Sequence, residues 1–199
     1  MIARSRPRAT YEDVLAAPRH IVAEVLFGVF YTFPRPAAKH ARASSHLGGE
    51  LYGPFNRGRG GPGGWIILDE PELHFGGKDD EDIVVPDLAG WRRERMREVP
   101  DVVFFTLAPD WVCEVLSDST RAIDRSEKMK IYARERVPHL WFVDPIARTL
   151  EVFQLVTRKK TKRAKAAATW NLLGVWRDDA RVRAEPFDAI ELELGSLWK

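Results

Sequence analysis

The hexapeptide WVCEVL at residues 111–116 constrains the fold more than any other stretch, because it is apolar at both alternating positions except at Glu114. A strand with one solvated face alternates apolar and polar side chains, whereas a strand apolar on both sides belongs inside a sheet covered on both faces. The rest of the chain must therefore supply two covering layers. With 199 residues, 45% hydrophobic and 30% charged, it is long enough to wrap helices around a sheet in a single domain, 1–199, and has little room for extended disorder. Glu114 is then the anomaly, since an ionised carboxylate inside such a strand costs several kcal/mol unless a cation or hydrogen bonds compensate.

The flanking sequence fits an α/β (α+β) chain. YEDVLAAP after Thr10 reads as a short capped helix ending at Pro18, with Glu12 and Asp13 in the first turn where the helix dipole favours them. HIVAEVL and VFYTF around Gly28 read as a hairpin. Residues 37–52 read as a helix although Gly48 and Gly49 each cost roughly 1 kcal/mol against alanine. GRGGPGG at 58–64 is a loop, and WIIL and IVVP read as strands neighbouring WVCEVL. SDSTRAIDRSEKMKIYARER reads as an amphipathic helix with Ile123, Met129, Tyr132 and Ala133 on its apolar stripe. HLWFVDP and TLEVFQLV follow as strands, giving a β-β-α-β-β order. Residues 158–168 read as a basic, mobile turn, and AEPFDAIELELGSLW as a final strand and tail.

Several functions are disfavoured. The one cysteine, Cys113, cannot form an internal disulfide and reads as core, which points to the cytoplasm. The apolar run 21–33 is broken by Glu24 and Gly28 and falls short of the roughly 20 residues a membrane helix needs. The arginine-bearing N-terminus leads into polar TYEDV and not into a secretory core. The five histidines lack zinc spacing, and no HExxH, CxxC or P-loop pattern occurs. Trp65, Trp91, Trp141 and Trp176 are scattered and read as core or rim side chains, not base-stacking platforms. Formal net charge is +2, and six positive charges crowd into RKKTKRAK at 158–165. Arg158, Lys159, Lys160, Lys162 and Arg163 are weak candidates for nucleic-acid contact, the alternative being a solvated turn.

Asp87 follows IVVP and precedes Glu114 by 27 residues, enough for a strand, a turn and a return strand. Two carboxylates side by side on buried strands suggest a shared hard cation such as Mg²⁺. Lys128 lies 14 residues beyond Glu114, on the helix leaving that strand, where its side chain can reach back and steady phosphate charge. The plainer readings are a turn aspartate, a buried ion-pair partner at Glu114, and a surface Asp124–Lys128 pair at i,i+4 spacing worth roughly 0.2–0.5 kcal/mol.

These residues resemble a known family, the Uma-type candidate restriction endonucleases (domain of unknown function 820) within the PD-(D/E)xK nuclease superfamily. The resemblance runs over about residues 20–155: the hairpin at Gly28, Pro34, Pro36 and His40, the Pro86-Asp87 pair, EVLS at 114–117, D-R-x-x-K at 124–128, and a Y-x-x-x-x-V-x-x-x-W segment from Tyr132 to Trp141. It implies a restriction-endonuclease-like core, a mixed central β-sheet flanked by helices. It further implies Mg²⁺ or Mn²⁺ on Asp87, Glu114 and the Val115 carbonyl, with Lys128 acting on water and on the transition state, and His40 and Glu24 in support. A nucleic-acid substrate, most readily DNA, and a homodimer or higher homo-oligomer follow as expectations. The alternative is a catalytically inactive nuclease-fold module that binds nucleic acid or a protein. The superfamily usually places its lysine two residues after the second carboxylate, where this chain has Leu116. Asp118 and Arg136 stand where the family usually has proline and glycine.

Overall fold

Alternation along residues 111–116 sets the architecture. In the computed structural model, which describes residues 8–77, 80–158 and 167–199, Trp111, Cys113 and Val115 enter one hydrophobic cluster and Val112 and Leu116 enter another on the opposite face. In chain order the elements are α1 (Tyr11–Ala16), the hairpin β1 (Ile21–Leu26) and β2 (Val29–Pro34), and α2 (Ala38–Leu51), which runs into a π-turn at Tyr52–Asn56. Then come β3 (Trp65–Asp69), β4 (Leu73–Phe75), β5 (Asp82–Val84), β6 (Leu88–Arg92) and β7 (Trp111–Val115). A helical stretch follows, made of α3 (Arg121–Ile123), a π-turn (Asp124–Lys128) and α4 (Met129–Arg134). The chain continues through β8 (His139–Asp144), β9 (Thr149–Arg158), β10 (Ala167–Arg177), β11 (Arg181–Val182), β12 (Leu192–Glu193) and α5 (Gly195–Trp198).

The large sheet has six strands in the order β10-β9-β8-β7-β6-β3. Only β7 and β8 are parallel, with Glu114 opposite Phe142. That pairing requires a crossover, which the helical stretch 121–134 provides while burying Ile131 and Tyr132 against one face of the sheet. A smaller antiparallel sheet, β2-β1-β5-β4, adds Leu26, Leu73, Phe75 and Val84 to the same cluster. The other face is covered by Ala43, Leu47 and Leu51 of α2 and by the C-terminal residues 182–197.

Three expectations are corrected. IVVP does not neighbour WVCEVL: β5 pairs with β1 and β4, and the strand beside β7 is β6, which follows Asp87. Its residues LAGWR hide their strand character because Gly90 is needed under Trp65 and Trp111, whose ring atoms would lie 3.3 Å from a β-carbon there. Residues 167–177, absent from the sequence-based strands, form an edge strand paired along β9. Finally, the segment read as a strand and tail is core: Phe187 is fully buried with its ring 4.7–5.6 Å from those of Phe55, Trp65, Trp111 and Trp141. Trp65, Trp91 and Trp141 are buried and Trp176 packs partly buried against the first cluster, as their reading as core or rim anticipates. No helix among the described residues is long and apolar enough to cross a membrane.

One departure from the family pattern acquires a physical meaning. The end of α4 is closed by Val137 N–H donating to the Tyr132 carbonyl and Arg136 N–H donating to the Ala133 carbonyl. This double closure needs a left-handed residue at position 136, and Arg136 has φ 60°. An L-residue with a side chain pays roughly 1–2 kcal/mol there, partly offset in the glycine variant by a freer unfolded chain. Arg136→Gly is therefore expected to raise stability by up to about 1 kcal/mol, a gain of roughly 2–4 °C in melting temperature. A thermal melt in which the variant is less stable than the wild type would contradict this.

Candidate active site

Three separate segments bring carboxylates into one cleft. Alternation in β7 turns Glu114 toward the helical stretch 121–134, opposite in direction to Cys113 and Val115. Glu24 comes from β1, buried in the small sheet. Asp87 stands where the chain leaves β5 for β6 and so passes from the small sheet to the large one. Between them opens a cavity of about 320 Å³ whose polar lining includes Glu24, Arg35, His40, Glu70, Asp87, Glu114, Asp118, Asp124 and Lys128.

Lys128 is the centre of this arrangement. Its side chain is only 5% exposed, and its ammonium lies 2.9 Å from Glu24 Oε1, 3.2 Å from Glu114 Oε2 and 3.6 Å from Asp124 Oδ1. It also donates to the Val85 carbonyl at 3.3 Å. The surface i,i+4 pair with Asp124 is thereby corrected: the pair exists but is buried, Asp124 itself being 2% exposed. Burial alone would push the Lys128 ammonium down, but Glu114, Glu24 and Asp124 outweigh it and hold the group well above the ordinary lysine value. The carboxylates move up as well. Burial, and then mutual repulsion only partly relieved by Lys128, raises Glu114 strongly and Glu24 and Asp124 too. Three acids around one cation leave the cage short of positive charge.

The second oxygen of Glu114 is held by the Tyr132 hydroxyl, one helical turn beyond Lys128. Asp124, Lys128 and Tyr132 thus face the same way, helped by the π-turn that interrupts the helix between the first two. Asp87 differs from its companions. Its side chain is 15% exposed, so it sits at the cavity wall and not within a buried strand. Asp87 Oδ2 accepts the Val115 N–H at 2.6 Å and Oδ1 faces His40 Nε2 at 3.3 Å. The Val115 carbonyl lies beside the same ring, and His40 Nδ1 is buried without a partner. Burial disfavours the imidazolium, but the hydrogen bond and charge of Asp87 prevail and move His40 up. Glu70, just after β3, extends the acidic wall, and Asp69 at the end of β3 lies within reach of the Asp87 charge; burial raises both, followed by Asp87 at Asp69 and by Asp69 and then Asp87 at Glu70.

The structure therefore gathers Asp87, Glu114, Val115, Lys128, His40 and Glu24 around one cleft. It does not bring Arg158 there, since that exposed residue lines a separate depression with Arg134 and Arg136. Lys159, Lys160, Lys162 and Arg163 lie outside the described residues. Sequence reasoning gave Tyr132 no role in the site, placing it in an apolar stripe and at the head of the Y-x-x-x-x-V-x-x-x-W segment, although its spacing of four from Lys128 was a usable signal. Asp69, Glu70 and Arg35 carried no signal short of the fold.

Among the described residues, no three His, Cys, Asp or Glu side chains are arranged as a ready-made ion site. The donor chemistry nevertheless suits a hard divalent cation, because the cavity offers carboxylate oxygens and Glu24 Oε2 is buried there with no hydrogen-bond partner.

The mixed sheet flanked by helices is a nuclease-type fold. A family model described as "Uma2: Putative restriction endonuclease" matches residues 9–178. The chain belongs to that family. A crystal structure of a putative nuclease of domain of unknown function 820 from Anabaena variabilis is similar, with a TM-score of 0.68 over 96% of this chain and 97% of that one, at 19% identity. At that identity the likeness shows the shared fold. No curated protein matches the sequence.

Proposed function

We propose that the chain is a metal-dependent endonuclease of the PD-(D/E)xK type that hydrolyses phosphodiester bonds in DNA. The observation that carries this reading is the Lys128 ammonium, held charged at the floor of an open cavity by acids from three elements. A structural cage explains the acids that touch Lys128, but not the further carboxylates, Asp87, Glu70 and Asp118, that line the same cavity.

Asp87 and Glu114 would hold Mg²⁺ or Mn²⁺, with the Val115 carbonyl as a further ligand and Glu24 Oε2, an unpartnered oxygen of the same cavity, available. When bound, such an ion polarises the phosphate and lowers the pKa of a coordinated water. The chain's own contribution is positional and electrostatic. Lys128 keeps its proton, and since its three N–H groups already face Glu24, Glu114 and the Val85 carbonyl, it would act on the phosphate through its positive charge, which suits charge stabilisation better than proton abstraction. Tyr132 fixes one oxygen of Glu114, Glu24 anchors the ammonium, and His40 orients Asp87.

Because an ion that binds only the folded state stabilises it by mass action, Mg²⁺ at about a hundred times its dissociation constant should add roughly 2.7 kcal/mol. Asp87→Asn should abolish that gain. Melting curves with and without Mg²⁺ check this, and an ion-induced rise that persists undiminished in the variant would remove Asp87 from the ion site.

A further inference from the structure

Resting on the nuclease reading, we infer that the nucleic-acid strand reaches the cavity along a basic rim formed by Arg19, Arg35, Lys39 and Arg42, and not along the basic run at 158–165. The cavity is acidic to its mouth, where Glu70 and exposed Asp118 stand. A polyanion is repelled from such a mouth unless cations flank it. Arg35 lines the cavity directly, and its Nη2 donates to the Arg19 carbonyl at 3.1 Å, which brings the starts of β1 and α2 together at the rim.

Helix α2 continues the rim. It turns His40 inward to Asp87 and leaves Lys39 and Arg42, three residues apart and on either side of that histidine in the chain, exposed. Lys39 and Arg42 also line a trough of about 330 Å³ together with Arg148 and Lys199. There the two groups of cations differ. Arg148 and Lys199 are engaged by Asp178 and Asp179, whereas Arg19, Arg35, Lys39 and Arg42 form no close ion pair among the described residues. Four exposed cations outside any close ion pair, of which Arg35 alone feels the charge of Glu70, next to a cavity with an excess of acids, suit the phosphates of a nucleic-acid backbone. Arg158, by contrast, lines depressions walled by residues 133–136, β9 and β10, none of which contributes to the cavity, whereas Arg35 lines the cavity itself and Lys39 directly precedes its His40.

The test is binding of a fluorescently labelled DNA duplex to the full chain in EDTA, followed by anisotropy over a range of salt concentrations. One variant combines Arg35→Gln, Lys39→Gln and Arg42→Gln; the other combines Arg158→Gln, Lys159→Gln and Lys160→Gln. Melting curves confirm that both fold. The rim variant is expected to bind at least about tenfold more weakly near 0.1 M salt, and to lose about 3 from the slope of log K against log salt, nearly 1 per phosphate contact. The other variant is expected to keep the wild-type slope. Loss confined to the 158–160 variant, equal loss in both, or no affinity in the wild type would overturn the inference. Plasmid cleavage by the wild type in Mg²⁺ separates the two claims: cutting without rim dependence sinks the rim alone, and rim-dependent binding without cutting sinks the catalytic reading while the rim stands.

Discussion

Lys128→Met is expected to destabilise the metal-free protein by about 3–5 kcal/mol at neutral pH, the usual consequence of removing one partner from a buried ion pair. For a chain of this length that is a fall of about 6–20 °C in melting temperature. Methionine fills the space, so the loss isolates charge from packing. Glu24, Glu114 and Asp124 would then share a buried site with no cation between them. The pH dependence follows from the direction of their shifts. All three carboxyls are raised in the folded state, by burial first. They bind protons more tightly folded than unfolded, so the stability they contribute is complete below the unfolded values near pH 4 and is lost as pH rises through the raised folded ones. Lys128 is raised too, so its contribution is complete below its unfolded value near pH 10 and stays intact through the neutral range. Removing it lifts the folded carboxyls further and widens the window over which stability falls. The gap between variant and wild type should therefore narrow as pH drops from 8 toward 5. A variant that melts within a degree or two of wild type at pH 7.5 would mean that the cage carries no net charge there.

Glu114→Gln is expected to separate stability from activity. Cleavage should fall by at least about a hundredfold, because the variant loses the charge that would hold the ion and balance Lys128. The metal-free melting temperature should stay level or rise by a few degrees. Burial is the main reason that Glu114 is raised, and the amide removes that cost while its oxygen accepts from Lys128 and its NH₂ meets the Tyr132 oxygen. Activity is read on plasmid DNA and stability by calorimetry. A variant that cuts normally would show that the buried glutamate is a structural ion-pair partner after all.

The candidate site was more legible in the sequence than the paths between its parts. WVCEVL disclosed a central strand and an embedded acid because alternation is a local property. D-R-x-x-K exposed Asp124 and Lys128 as a pair, but spacing alone describes a solvated helix face as well as a buried cage. The difference lies in Glu24, which arrives from β1 some hundred residues earlier in the chain. Long-range convergence of that kind leaves no local trace. The same limit hid β6, whose Gly90 is chosen by Trp65 and Trp111 packed over it, and the C-terminal segment, whose short strand and turns conceal that Phe187 fills the aromatic core. β10 escaped notice because an edge strand with mostly exposed side chains lacks an apolar alternation.

The central claim is that Asp87, Glu114 and Lys128 form a phosphodiester-cleaving centre. It is tested most directly by incubating supercoiled plasmid and labelled oligonucleotides with the full chain in Mg²⁺ or Mn²⁺, beside Asp87→Asn. Metal-dependent cutting by the wild type, abolished in the variant and in EDTA, is the predicted result. Intact DNA on every substrate, or cutting that the variant retains, would contradict it.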